Sequence, residues 1–400
     1  MKRFFLLISL LLLLPLTGCR KSEKTVTLNV YNWGQYISDG SEDTLDVNAA
    51  FEEYYYETYG VRVKVNYTTY ASNEDMYNKL KTGATSYDVV VPSDYMIARM
   101  ISEGMLEKLD FKNIPNYQYI GSQHKGLFYD PQNAYSVPYT YGMVGIIYNT
   151  EMTDAEDVTG WDIMWNEKYK GKILQFNNPR DAFGTAMYRA GIDVNTTLPE
   201  QWDRAAEALR LQKPLIQSYV MDEIFNKMKN GSAAIAPYYA GDFLSMYEDN
   251  DALAFLYPPE GTNVYMDAFC IPTTTRQKEV AERYIDFMLS EEPAVANAEY
   301  TYYASPNTLV TESEEYRECM AEIHPDAFAI LYPENDRYPC TYYENLPTET
   351  LSYSNTLWEK LKIQNSIESW IYVLSIAIVA FLIALMVWKI IRKKMCERYY

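Results

Sequence analysis

Residues 87–104, YDVVVPSDYMIARMISEG, pass from a run of three valines into a helical pattern with only Pro92 and Ser93 between them. A short apolar run bounded by turn residues reads as a strand buried on both faces. Met96, Ile97, Met100 and Ile101 then recur at helical spacing, and Gly104 closes the pattern. A strand that feeds a helix directly is half of a βαβ unit. Toward the N-terminus, KTVTLNVYNW (24–33) and VRVKVNYTTY (61–70) read as strands. Between them EDTLDVNAAFEEYYYETYG is helix-like and ends at Gly60, and NEDMYNKLKTG (73–83) is a further helix. The βαβαβα order predicts a largely parallel sheet, with ligands beyond the carboxyl ends of its strands. Trp33, Tyr36, Ser93 and Tyr95 stand just past such ends.

Toward the C-terminus a looser segment rich in Tyr, Pro and Asn (111–138) precedes YTYGMVGIIYNT (139–150), which opens a second α/β set. That set contains KILQF (172–176), a helix over 181–190, PEQWDRAAEALRLQK, MDEIFNKMKNG and AAIAPYYAG. NVYMDAFCIP (263–272) and QKEVAERYIDFMLS (277–290) read as a return strand and helix, and LSYSNTLWEKLKI (351–363) is the last helix before an apolar run. About 340 residues between the two apolar ends exceed the usual size of a single core, so two domains are expected.

The ends are of another kind. MKRFFLLISLLLLLPLTGC (1–19) has a basic start, a short apolar run and small residues before Cys19, the pattern of an export signal. Its LTGC ending resembles the lipobox of bacterial lipoproteins, which implies lipidation at Cys19. Residues 369–388, SWIYVLSIAIVAFLIALMVW, carry no charge and match a bilayer core in length, with Trp370, Tyr372 and Trp388 at the expected interfaces. Lys389, Arg392, Lys393 and Lys394 follow, so 389–400 is expected to be a cytoplasmic tail and the bulk of the chain to lie outside the membrane.

Residues 25–388 carry 25 basic and 52 acidic side chains, a formal net charge of −27. A field of that sign repels nucleic acid and attracts cations. Cys270 lies in a strand-like apolar run and reads as a buried thiol. Cys319 and Cys340 share the exported segment, where a disulfide can form, but spacing does not fix its geometry. His124 and His324 stand apart from each other and from any metal-ligand spacing, so neither metal nor cofactor is expected.

The sequence contains no P-loop, no G-x-S-x-G elbow, no H-E-x-x-H and no G-x-G-x-x-G after a strand. Acidic pairs leave a carboxylate glycosidase open by residue type, but no motif favours it, and the chain reads as a binding protein, not an enzyme. Strand ends instead carry rings and acids: PSDY (92–95), NNPRDAF (177–183), PYYAGDF (237–243), VYMDAF (264–269) and TYYASPN (301–307). Rings serve methylenes and the faces of cations, while carboxylates replace the water stripped from an ammonium. An aliphatic amine suits such a lining.

In order along the chain, LNVYNWGQYI, YDVVVPSDYMIARMISEGMLEKLD, YSVPYTYG, VYMDAFCIP and YYASPNT resemble the successive motifs of the spermidine/putrescine-binding proteins of polyamine ABC importers, over about residues 26–362. The resemblance implies an α/β, two-domain periplasmic-binding-protein type II fold with a cleft between the domains, here followed by a C-terminal transmembrane helix. Its lobes would be 26–138 with 265–310, and 139–264 with 311–362. It implies that Trp33, Tyr36, Ser93, Tyr95, Tyr239, Tyr265 and Tyr303 wall the site, and that Asp181, Asp242, Asp267 and Glu344 anchor ammonium groups. Gln35 and Asn178 stand where relatives tend to have acids, and Asp242 matches an acid of putrescine-preferring members, a slight lean toward the diamine. The implied partners are a polyamine, ABC permease subunits and the membrane. A membrane receptor ectodomain of the same fold, or a binder of another solute such as sugar, are the alternative readings.

Overall fold

A computed structural model describes residues 25–83, 85–334, 337–363 and 369–396. The expected export signal and Cys19 lie outside the described residues. Among the described residues ten strands form one continuous sheet: β1 (Val26–Trp33), β2 (Val63–Tyr70), β3 (Val89–Val90), β4 (Ser136–Asn149), β5 (Ile173–Phe176), β6 (Ile216–Val220), β7 (Ile235–Tyr239), β8 (Leu253–Leu256), β9 (Thr262–Cys270) and β10 (Cys340–Tyr342). The order is β2-β1-β3-β9-β4-β7-β5-β6, with β10 beside β9 and β8 beside β4.

β1 runs parallel to β2 from Val26↔Val63 to Trp33↔Tyr70, and to β3 at Val30↔Val89. The linking helices are set by caps. Asp46 accepts from Ala49 N at 2.9 Å and Gly60 closes Val47–Tyr59 at φ 68°, while Ser72 accepts from Asp75 N to start Asn73–Thr82. β3 is only two residues long, shorter than its valine run suggests, because Pro92 has no N–H to continue the ladder. Pro92 O still accepts from Ala268 N at 3.1 Å and Ser93 bridges Asp267, so the segment stays fastened to β9.

The parallel expectation holds for β2-β1-β3 and for β7-β5-β6 but not at the centre. β4 and β9 are antiparallel to each other, β9 is antiparallel to β3, and β4 is antiparallel to β7 and β8. β4 also starts at Ser136, inside the stretch the sequence reads as loose, with a register break between Pro138 and Thr140 where the proline withholds a donor. It pairs with β9 as far as Met143↔Val264, and from Val144 onward with β7.

Cores follow this change of partner. Leu28, Val30, Phe51, Phe269 and Tyr284 pack on one face of the β1–β3–β9 part, and Tyr31, Met76, Ile97, Met266 and Cys270 on the other, as strand alternation requires. A third core, with Ile146, Ile173, Phe176, Trp202 and Ile235, surrounds the rest of the sheet and includes residues of the Glu314–Ile323 and Thr348–Ile363 helices. The Ser369–Cys396 helix contains an 18-residue window with no buried residue, Ser375–Arg392, of mean hydropathy 2.1, long and apolar enough to cross a membrane. It continues beyond Trp388, where the sequence ends the span.

Candidate functional site

The carboxyl ends of β1, β3, β5 and β7 converge on a cavity of about 1270 Å³, with one face of β9 running through it. Twelve of the thirteen sequence-predicted ligand residues line it: Trp33, Gln35, Tyr36, Ser93, Tyr95, Asn178, Asp181, Tyr239, Asp242, Tyr265, Asp267 and Tyr303. Glu344 does not. It is exposed, and only its backbone is held, by Glu344 N donating to Asn195 Oδ1 at 2.8 Å. Tyr343, the preceding residue, lines the cavity instead, since adjacent residues of extended chain point to opposite sides.

Three buried acids of the cavity, Asp267, Asp181 and Asp242, are each held by a tyrosine. Tyr36 donates to Asp267 Oδ2 at 2.6 Å and also lies 2.5 Å from Thr140 Oγ1. Tyr239 donates to Asp181 Oδ2 at 2.8 Å, and Tyr303 to Asp242 Oδ2 at 2.7 Å. These acids are 4%, 6% and 7% exposed for Asp267, Asp181 and Asp242, so nearly all of their hydration is lost. Burial pushes Asp267 and Asp181 up to about 6 and Asp242 up to about 7, against the opposing influence of Ser93 and then Tyr36 at Asp267, of Tyr239 and then the Arg180 charge at Asp181, and of Tyr303 at Asp242. None of the three forms an ion pair with a Lys or Arg among the described residues. None caps a helix either: Asn178 is the cap of Pro179–Arg189, and Asp267 lies within β9.

Rings complete the lining. Trp33 donates its indole N–H to Val91 O at 2.9 Å and packs on Tyr70, with centroids 4.7 Å apart. Tyr36 meets Tyr303 edge-on at 5.0 Å, and Tyr239 meets Tyr265 at 5.2 Å. Tyr265 crosses over Gly142, where a Cβ would sit 2.7 Å from its hydroxyl, so the glycine is needed for this close approach. Gln35 is exposed at the rim with φ 51°, a left-handed turn leaving β1.

A family model for bacterial extracellular solute-binding proteins matches residues 49–321, more than half of the chain. The chain belongs to this family. Among relatives of this solute-binding protein, the spermidine/putrescine-binding periplasmic protein of Escherichia coli is 32% identical over 337 residues, 84% of this chain and 91% of its own length. That of Salmonella typhimurium is 33% identical over 282 residues, 70% of this chain and 78% of its own. The crystal structure of the spermidine/putrescine ABC transporter substrate-binding protein of Streptococcus pneumoniae is 31% identical, covers 84% of this chain and 99% of its own, and superposes with a TM-score of 0.68. The solute-binding protein therefore has an α/β periplasmic-binding-protein-like fold, and its family and relatives bind solutes without turning them over.

Sequence reasoning missed several residues of the solute-binding protein's cavity. Asn73 bridges Ser93 and Tyr95 through contacts of 3.0 and 3.2 Å, and half-buried Glu74 accepts from Tyr95 Oη at 3.1 Å. Both follow the carboxyl end of β2, the same signal that singles out Trp33 and Ser93. Asp94 is 1% exposed and accepts from Tyr95 N and Met266 N, tying the Asp94–Ser102 helix to β9, and burial pushes its carboxyl well above the usual range. Arg180, 6% exposed, stacks on the Tyr343 ring at 4.4 Å and donates to Val194 O and Asn195 Oδ1. Cys319 also lines the cavity and is a free thiol, so the bridge to Cys340 that the sequence leaves open is not made.

Proposed function

We propose that this solute-binding protein captures a polyamine, putrescine or spermidine, outside the cell and hands it to the permease subunits of an ABC importer. The observation that carries this reading is the state of Asp181, Asp242 and Asp267. Three carboxylates buried in one cavity, each with a neutral phenol and no ion-paired cation among the described residues, carry a desolvation cost that an ammonium would offset. The tyrosine faces and Trp33 supply apolar and cation–π contact for the methylenes and charge of such a ligand. A neutral sugar would leave all three acids uncompensated. The names of the E. coli and S. pneumoniae relatives agree with an amine.

In this reading the lobes 26–138 with 265–310 and 139–264 with 311–362 close on the ligand about β4 and β9, near Tyr139 and Met266. Ligand contacts made only in the closed form bias that state for the permease. Trp33, Gln35, Tyr36, Ser93 and Tyr95 act from one side, and Asn178, Asp181, Tyr239, Asp242, Tyr265, Asp267 and Tyr303 complete the enclosure. A lipid at Cys19 and the C-terminal helix hold the domain at the membrane. The test is uptake of labelled putrescine and spermidine by cells lacking this chain. Loss of uptake that returns with the wild-type chain is expected; intact uptake with loss of a polyamine response would identify a receptor instead.

A further inference from the structure

The cavity-facing side of β9 presents Asn263, Tyr265 and Asp267, every second residue of one strand, and all three line the cavity. Each carries a buried polar atom without a hydrogen-bond partner among the described residues: Asn263 Oδ1, Tyr265 Oη and Asp267 Oδ1. Asn263 is 4% exposed, so its amide is withdrawn from water as fully as the Asp267 carboxylate. A buried acceptor left without a donor costs free energy on the scale of a lost hydrogen bond. One such atom in a strand is a packing cost. Three in a row on one face, all lining one cavity, describe a ligand.

Spacing indicates which ligand reaches all three. At about 3.4 Å per residue, Asn263 stands about 14 Å from Asp267 along β9, with Tyr265 about 7 Å from each. Standard bond lengths put the nitrogens of an extended four-carbon diamine roughly 6 Å apart, and the outer nitrogens of a triamine with three- and four-carbon spacers roughly 11 Å apart. A diamine held at Asp267 ends near Tyr265. A triamine held there runs on to Asn263.

Resting on the polyamine reading above, we propose that Asn263 is a ligand-binding residue that receives the far ammonium of a triamine anchored at Asp267, and so selects triamine over diamine. A neutral amide carbonyl suits this end because it accepts from an ammonium without burying a further negative charge beside Asp181 and Asp242. This selection runs against the slight lean toward the diamine drawn from Gln35, Asn178 and Asp242.

The experiment is calorimetric titration of the purified full chain in detergent with spermidine and with putrescine, for wild type, Asn263→Leu and Asn263→Asp. Asn263→Leu, which keeps the forked shape and removes the acceptor, is expected to weaken spermidine by about ten- to a hundredfold while leaving putrescine within about twofold. The retained putrescine affinity reports an intact fold and an intact Asp267 end. Asn263→Asp is expected to raise the spermidine-to-putrescine preference, and it serves as the test if the leucine variant does not fold. An unchanged preference in either folded variant overturns the role of Asn263. Wild-type protein that binds neither amine overturns the polyamine reading itself, and this inference with it.

Discussion

Tyr36 and Asp267, 231 residues apart in sequence, meet at 2.6 Å in the buried centre of the site, where the loop after β1 touches the cavity face of β9. Thr140 of β4, the register partner of Asp267, completes the contact from the neighbouring strand. The phenol fixes one carboxylate oxygen and leaves Oδ1 open. Asp267→Asn keeps the shape and removes the charge, so it is expected to lower polyamine affinity by about 2–4 kcal/mol. Tyr36→Phe removes only the donor and is expected to cost about 1–2 kcal/mol. Titration calorimetry of both variants checks the order.

Affinity should depend on pH with a definite sign. Asp181 and Asp267 are raised to about 6 and Asp242 to about 7, whereas an alkyl ammonium stays protonated well above neutrality. Below pH 6 the site must release protons before it can pair with a cation. Affinity is therefore expected to rise from pH 5 to pH 8, with proton release on binding that is largest near pH 6–7 and visible in buffers of different ionisation enthalpy.

Stability of the ligand-free protein should move the opposite way. A carboxyl whose folded pKa is raised binds more protons folded than unfolded, so its ionisation destabilises the fold as pH rises from about 4 through about 7. Asp242→Asn removes that ionisation. The variant is expected to melt higher than wild type at pH 8, with a gap that narrows at pH 5, read by thermal unfolding at both values.

Gly142→Ala places a methyl group 2.7 Å from the Tyr265 hydroxyl, in the centre of the sheet where β4 has little room to shift. Tyr265 must swing out of the cavity. The substitution is expected to cost about 1–3 kcal/mol of stability and to weaken polyamine binding, whereas Tyr265→Phe should leave stability nearly unchanged because its hydroxyl has no partner among the described residues. Glu344→Gln, on an exposed side chain outside the cavity, should change affinity by less than about 0.5 kcal/mol.

Much of this was legible before any coordinates. The valine run at 89–91 and the helix end at Gly60 are local signals, which the structure answers with a strand of two residues and a left-handed C-cap. Rings and acids just past strand ends located the cavity, because parallel strands gather their carboxyl ends on one edge. The antiparallel course of β4 and β9 was not legible, since periodicity gives an apolar strand no direction. Glu344 was named from the resemblance alone, and β10, three residues long, gives the sequence no alternation by which to choose between it and Tyr343. Asn263 escaped notice although it stands two before Tyr265, where period-two reading would have found it.

Direct titration of the wild-type chain with putrescine, spermidine and a panel of neutral sugars tests the central claim most simply. Micromolar or tighter binding of at least one amine, with no heat from any sugar, is the predicted result. Folded protein that ignores both amines, or that binds a neutral sugar as well as it binds an amine, would contradict it.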